Sequence, residues 1–348
     1  MTSLYLGIVL FSFFVHFLVF FPFIDFLYNL KFQRQDQTTK DPFDKPTPIF
    51  DKFNRAKKGT PVGGGILIVL LTSLMYLLFI IFFLFKLPAE KLSTNYPSLF
   101  SEMVIIITTF ILFFLLGLYD DLNKIFFWKK RRFFGLRLRH KLILELIFAG
   151  IVSIMIFFLL RIDFIHIPFY GALHLGYGFI PFAMFVIVAF CNAMNITDGI
   201  DGLSSGVLMI ALSAFWVIST SVFDIPTLLF IAVFMGGLIA FLYFNIYPAR
   251  IFLGDSGALS FGATFAVIGL ILGKALAMPI ISGVMVIEIA TSLLQLIWKR
   301  FFGRKLFPVA PLHLYLQYRG WPEPKVTMRL WVLSILFAIL GLSIAFLN

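Results

Sequence analysis

The sequence predicts an all-α polytopic membrane protein: a single domain over residues 1–348 with about ten transmembrane helices. Three observations carry this reading. The chain is 61% hydrophobic and only 13% charged, with a mean hydropathy of +1.00; a soluble domain is roughly half apolar and about a quarter charged. Apolar runs, most of them of about 18 residues or more and so long enough to cross a bilayer, recur along its whole length. The basic residues then fall almost entirely into alternate loops. The single cysteine, Cys191, excludes an internal disulfide and a cysteine-based zinc site.

The runs lie near 3–30, 63–85, 102–118, 142–160, 177–194, 205–222, 226–246, 256–273, 277–297 and 327–347. The first is followed, not preceded, by basic residues, so it reads as a retained helix rather than a cleavable signal. Of the 28 Lys and Arg, 24 lie in the loops after the odd-numbered runs and at Arg250, against four (Lys86, Lys91, Arg161, Lys274) in the others. By the positive-inside rule the basic loops are cytoplasmic, near 31–62, 119–141, 195–204, 247–255 and 298–326, and both termini are outside. The outer loop "RIDFIHIPFYGALHLGYGF" alternates β-branched and aromatic residues around a glycine, which predicts a short periplasmic β-hairpin near 161–176. The net charge of +11 suits anionic lipid head groups at the membrane surface. Without a soluble basic-aromatic platform, nucleic acid is not expected as a partner.

The acids follow the same map. "LYDDLNK" puts Asp120 and Asp121 at the cytoplasmic end of the third run, "NITDGIDGLSSG" puts Asp198 and Asp201 at that end of the fifth, and "RIFLGDSGALSFG" puts Asp255 at the start of the eighth. Acids beside membrane spans are costly and face a bundle interior or a wet cavity. Five from three loops on one side predict a polyanionic cleft. Asn195, Asp198 and Asp201 are three apart and would share a face on a helical turn. Asp255 and Asp198 each have a plainer reading as helix caps. Mg²⁺ uses one or two carboxylates and leaves positions for phosphates, with Lys58, Lys124 and Lys141 as candidate phosphate-binding cations. The run Gly63–Gly65 would admit a phosphate or close helix packing. His313 is the one histidine on the cleft side without an evident structural task.

Read together, "KKGTPVGGG", "DDLNK", "GLRLRHKL", "NAMNITDGIDGL", "RIFLGDSGALSFG" and "APLHLYLQYRGWPEPKVTMRLW" resemble, in order and spacing and over essentially the full length, the polyprenyl-phosphate N-acetylhexosamine-1-phosphate transferases. The last segment resembles the branch that uses UDP-MurNAc-pentapeptide. The resemblance implies transfer of phospho-MurNAc-pentapeptide to undecaprenyl phosphate, giving lipid I and UMP, on the cytoplasmic face of a bacterial inner membrane, with Mg²⁺ as cofactor and a homodimer as the assembly. It implies Asp255 as the Mg²⁺ ligand, Asp120 and Asp121 at the reaction centre, and His313 near the donor diphosphate. Asn195, Asp198 and Asp201 would contact the nucleotide, Phe252, two residues before Gly254, would stack on uracil, and Lys58, Lys124 and Lys141 would hold phosphates or the uridine edge. Two departures stand out. "HLYLQ" replaces three histidines, an aromatic residue and an acid, keeping only His313; and "DPFDKPTPIFDKFNR" lengthens the first cytoplasmic loop. The alternatives are a transferase for UDP-GlcNAc or another UDP-amino sugar, favoured by "HLYLQ", and a cation transporter. A transporter site would lie near mid-membrane between internal repeats, and the sequence has neither feature.

Overall fold

The computed structural model describes residues 2–34, 47–54, 57–86, 96–126, 136 and 138–347. Ten long helices occupy the ten expected positions: α1 (Thr2–Asn29), α3 (Gly64–Lys86), α4 (Leu99–Phe126), α5 (Leu138–Leu159), α6 (Phe179–Thr197), α7 (Leu203–Ser221), α8 (Ile225–Asn245), α9 (Asp255–Ile271), α11 (Gly283–Phe302) and α13 (Glu323–Ala345). Three short helices join them: α2 (Pro48–Asn54), α10 (Met278–Ile281) and α12 (Leu312–Tyr318). The fold is all-α and polytopic, and eight helices are long and apolar enough to cross a membrane.

The other two fall short for different physical reasons. Helix α9 has 17 residues, about 26 Å at 1.5 Å per residue. It is buried from Ser256 to Ile271 and packs against α3, α4, α6 and α7, so protein rather than lipid surrounds it. Helix α11 has the length but carries Glu288, Gln295, Lys299 and Arg300. The ninth expected run, 277–297, is also broken at Ser282 into α10 and α11.

The expected hairpin is present. Strand β1 (Phe164–Ile167) pairs antiparallel with β2 (Gly171–His174), Phe164 opposite His174 and Ile167 opposite Gly171. It joins α5 to α6 at the end of the bundle remote from Asp120, Asp121, Asp198, Asp201 and Asp255. At that remote end Thr227 donates to Glu102 (2.6 Å), and Asp224 accepts the Thr227 N–H as the N-cap of α8. These contacts satisfy polar groups that would be costly to bury alone.

The tightest packing relevant to the site is α4 on α9. A Cβ added to Gly117 would lie 2.2 Å from the Asp255 carbonyl oxygen, so only hydrogen fits where α4 passes the start of α9. This contact yields a prediction in which two effects have opposite signs. Helix propensity alone would make Gly117→Ala stabilising by about 1 kcal/mol. The collision is with backbone, which cannot swing aside, and overpacking costs about 1–3 kcal/mol. The variant should melt below the parent protein in detergent; a raised Tm would show that α9 shifts freely.

Candidate functional site

The site begins with a capping problem. The first N–H groups of a helix have no partner within it, and the N-cap of α9, Gly254, has no side chain to offer. Asp121 of α4 supplies both acceptors: Oδ1 takes the Asp255 N–H (3.0 Å) and Oδ2 the Ser256 N–H (2.9 Å). The expectation that Asp255 itself caps α9 is therefore corrected. Asp255 is the first helical residue, and its carboxylate is left pointing at the cations.

Two lysines bridge two carboxylates there. Lys124 Nζ lies 2.8 Å from Asp255 Oδ1 and 3.2 Å from Asp120 Oδ2. Lys141 Nζ lies 2.5 Å from Asp255 Oδ2 and 3.3 Å from the same Asp120 oxygen. Asp120 Oδ1 accepts the Leu136 N–H at 2.7 Å. Lys124 reaches Asp120 because it stands four residues later on the same helix face. Lys141 comes from the first turn of α5, and residues 127–135 and 137 of the intervening basic loop, with part of the "GLRLRHKL" motif, lie outside the described residues. Two negative and two positive groups thus balance at the mouth of the site.

A cleft opens beside this cluster, lined by Asp121, Lys124, Asp198, Gly199, Asp201, Phe252, Gly254 and Asp255 among others. Its far wall is made by the loops after α6 and α8 and by the chain after α1. Phe252 pairs with Val62 in a parallel bridge, and Gln33 with Pro61 in an antiparallel one. Gly63 and Gly64 both donate to the Phe252 carbonyl (3.0 and 2.9 Å), so the glycine run serves backbone packing here. The Phe252 ring is flanked by the Arg34 guanidinium at 5.6 Å and Lys57 Nζ at 5.8 Å from its centroid.

Asn195, Asp198 and Asp201 do not share a helical face, which corrects that expectation. Helix α6 ends at Thr197, Asp198 is its C-cap, and the chain turns before α7 starts at Leu203. The turn is completed at Gly202, whose positive φ of 72° is open to glycine and breaks the helical path before α7. Asp198 accepts Ser204 Oγ (2.5 Å) and lines the cleft. Asp201 accepts Lys57 Nζ (2.7 Å) and the Ala249 N–H (2.9 Å), tying three loops together. Asn195 sits half-buried on the last turn of α6 and does not line the cleft.

Other placements also differ from the sequence reading. Lys57 lines the cleft, whereas the Lys58 side chain is exposed; neighbours in a turn point apart. His313 is buried behind Gly199 rather than in the cleft lining, and it does have a structural partner, Glu288. In "HLYLQ", Leu314 is buried in the core, and Gln317 Nε2 lies 3.4 Å from Glu323 Oε2. Glu323 already accepts Lys57 Nζ (2.5 Å) and the Asp201 N–H (2.7 Å). An amide at 317 can donate to it, whereas a second carboxylate would repel it. In the lengthened first loop, residues 35–46 and 55–56 lie outside the described residues; 48–54 form α2.

Sequence reasoning missed Arg34, Lys57, Asn245, Glu288 and Glu323. Asn245 Oδ1 accepts the Gly202 N–H (3.0 Å) while its Nδ2 donates to the Ile251 carbonyl (2.9 Å), holding the two loops in register. A polar residue ending the otherwise apolar α8, and an acid within α11, were the signals available.

For Mg²⁺ the donor chemistry fits: the anionic side chains lining the cleft, Asp121, Asp198, Asp201 and Asp255, are carboxylates, hard oxygen donors, and no thiolate or imidazole is among the lining residues. Among the described residues no three Asp, Glu, His or Cys converge to hold a metal by themselves. That matches an ion bound by one or two carboxylates with phosphates and water completing its shell.

Taken together, the fold and the cleft are those of an integral membrane protein with a charged pocket at one end of its helical bundle. Residues 103–273 match the family model for glycosyl transferase family 4. The chain is 34% identical over 338 residues to a phospho-N-acetylmuramoyl-pentapeptide-transferase from Rickettsia akari (strain Hartford), covering 90% of this chain and 86% of that one. It is 33% identical over 309 residues to one from Aquifex aeolicus (strain VF5), covering 83% and 80%. The chain belongs to the phospho-N-acetylmuramoyl-pentapeptide-transferase family and is a multi-pass membrane phosphotransferase.

The Asp198 carboxyl gives the site a pH signature. Burial, with the nearby Asp255 charge, pushes it up to about 7, against the opposing effects of Ser204, Lys57 and Arg34. A raised carboxyl disfavours the ionised folded state, so its penalty is absent below the unfolded value near 3.8 and complete above 7. Asp198→Asn should raise the Tm of the ligand-free protein at pH 8, and this gain should shrink steadily as the pH falls from 7 toward 4. Thermal unfolding across that range checks it; a gain independent of pH would show that Asp198 does not titrate there.

Proposed function

We propose that the enzyme transfers phospho-MurNAc-pentapeptide from UDP-MurNAc-pentapeptide to undecaprenyl phosphate, giving lipid I and UMP. The reaction would take place at the cytoplasmic face of the bacterial inner membrane; the basic loops on the cleft side of the bundle support this through the positive-inside rule. The observation that carries this reading is the pair of lysines bridging Asp120 and Asp255 at the mouth of a cleft whose other wall presents Phe252.

In this reading uracil stacks on Phe252, displacing the Arg34 and Lys57 head groups from its faces toward the phosphates. Lys124 and Lys141 exchange carboxylate partners for phosphate oxygens, as compact cations on flexible stems can. Asp255 would hold Mg²⁺, and the ion would supply positive charge to offset that of the diphosphate. Asp121 keeps Asp255 in place through the start of α9, and Asp201 and Asn245 keep the nucleotide wall in register. The lipid phosphate has a second pKa of about 6 and is mostly dianionic at neutral pH, so it needs no protein base. One of its oxygens bonds to the sugar-proximal phosphorus while the bond from that phosphorus to the bridging oxygen breaks. The electron pair leaves with UMP, and catalysis is positioning and electrostatics. The burial of Leu314 where relatives of this type carry a second histidine favours one competing reading, transfer from UDP-GlcNAc.

UMP release by the purified protein, with undecaprenyl phosphate and Mg²⁺, separates the two. The muramyl nucleotide should turn over and UDP-GlcNAc should not; the reverse would move the enzyme to the competing substrate. Asp255→Asn should lower turnover by at least about 100-fold, within the range of losing a principal electrostatic contact, while expression is unchanged. Full activity in that variant would remove the metal assignment.

A further inference from the structure

Helix α11 buries an acid that the transfer reading leaves without a task. Glu288 is fully buried, and a lone carboxylate there would be costly. It is met by one residue of α12. The His313 backbone N–H lies 3.1 and 3.4 Å from the two Glu288 oxygens, and His313 Nδ1 lies 2.9 Å from Oε2. A carboxylate has no hydrogen to give, so Nδ1 carries the proton, and in the neutral ring Nε2 then carries the lone pair. That nitrogen faces the cleft wall: a Cβ built on Gly199 would lie 2.2 Å from it. Gly199 lines the cleft beside Asp198, so the ring packs against the back of the cleft wall, at a position that only hydrogen can occupy.

We propose that Glu288 is a positioning residue for the transfer, fixing His313 as its Nδ1–H tautomer with Nε2 turned to the cleft at Gly199. The proposal rests on the function proposed above. An apolar residue at 288 would leave the His313 N–H, in the first turn of α12, without an acceptor. A carboxylate accepts that N–H and the ring N–H together, and so selects the tautomer. His313 is the one histidine that "HLYLQ" retains, and Glu288 is what makes its orientation unique.

Glu288→Gln tests this with little change in volume. An amide has one acceptor and one donor, so it cannot serve both N–H groups. With its NH₂ toward the ring, Nδ1 becomes an acceptor and the proton moves to Nε2. Histidine-labelled protein in detergent, with His313→Asn assigning its signal among the five histidines, should give ¹⁵N shifts of an Nδ1–H ring in the parent and an Nε2–H ring in the Gln variant. Its kcat should fall by about 10- to 100-fold, the usual cost of losing a partner that orients a histidine. KM and Tm should stay near the parent values, and Glu288→Asp should recover part of the loss. A purely structural role would lower Tm and yield while leaving the kcat of the folded fraction unchanged, and that result, or an Nδ1–H ring in the Gln variant, overturns the proposal. Should the parent protein turn over neither nucleotide sugar, the transfer reading falls. The tautomer comparison still decides the positioning: a shifted ring upholds it and an unshifted one ends it.

Discussion

The two N–H groups at the start of α9 need acceptors, and its N-cap glycine cannot provide one. Asp121, from a different helix, accepts both. This inter-helix cap places a negative charge at the positive end of the α9 dipole and fixes the direction in which Asp255 leaves the helix. Everything at the mouth of the cleft is built outward from that point. The close pass of Gly117 holds α4 near enough for Asp121 to reach, and Asp120, on the next residue and about 100° around the helix, is turned to meet Lys124 and Lys141 instead.

The paired lysines and aspartates are a balanced but expensive arrangement. Buried ion pairs rarely add net stability, because desolvation offsets their attraction, while removing one partner is severe. A structural cluster of this kind could be replaced by apolar packing. One that must accept phosphates could not, because the lysines need a carboxylate partner in the empty site and must be able to leave it. The same logic extends along the cleft, where Lys57 is held by Asp201 and Glu323 while lying beside the Phe252 ring.

The unusual "HLYLQ" segment has a physical account in this framework. Gln317 faces Glu323, which already serves Lys57 and Asp201, so an amide is better tolerated there than an acid. Leu314 turns into the core. His313 keeps a polar partner, because Glu288 binds both its backbone and its ring.

The sequence by itself determined the class of fold, the ten helical segments, the hairpin and the end of the bundle where the acids gather. These follow from one-dimensional rules: apolar length must match bilayer thickness, loop charge sets sidedness, and a carboxylate beside a membrane span is too costly to be incidental. It could not decide which of two adjacent lysines faces the cleft, since Lys57 and Lys58 differ only in how a turn directs them. It also gave no sign that Asp121 would cap a helix more than a hundred residues away, or that Glu288 would meet His313. Those are choices of tertiary structure. Hydrogen bonds to buried donors and charges form between whatever groups packing brings within about 3 Å, and sequence spacing carries no record of which helices will be neighbours.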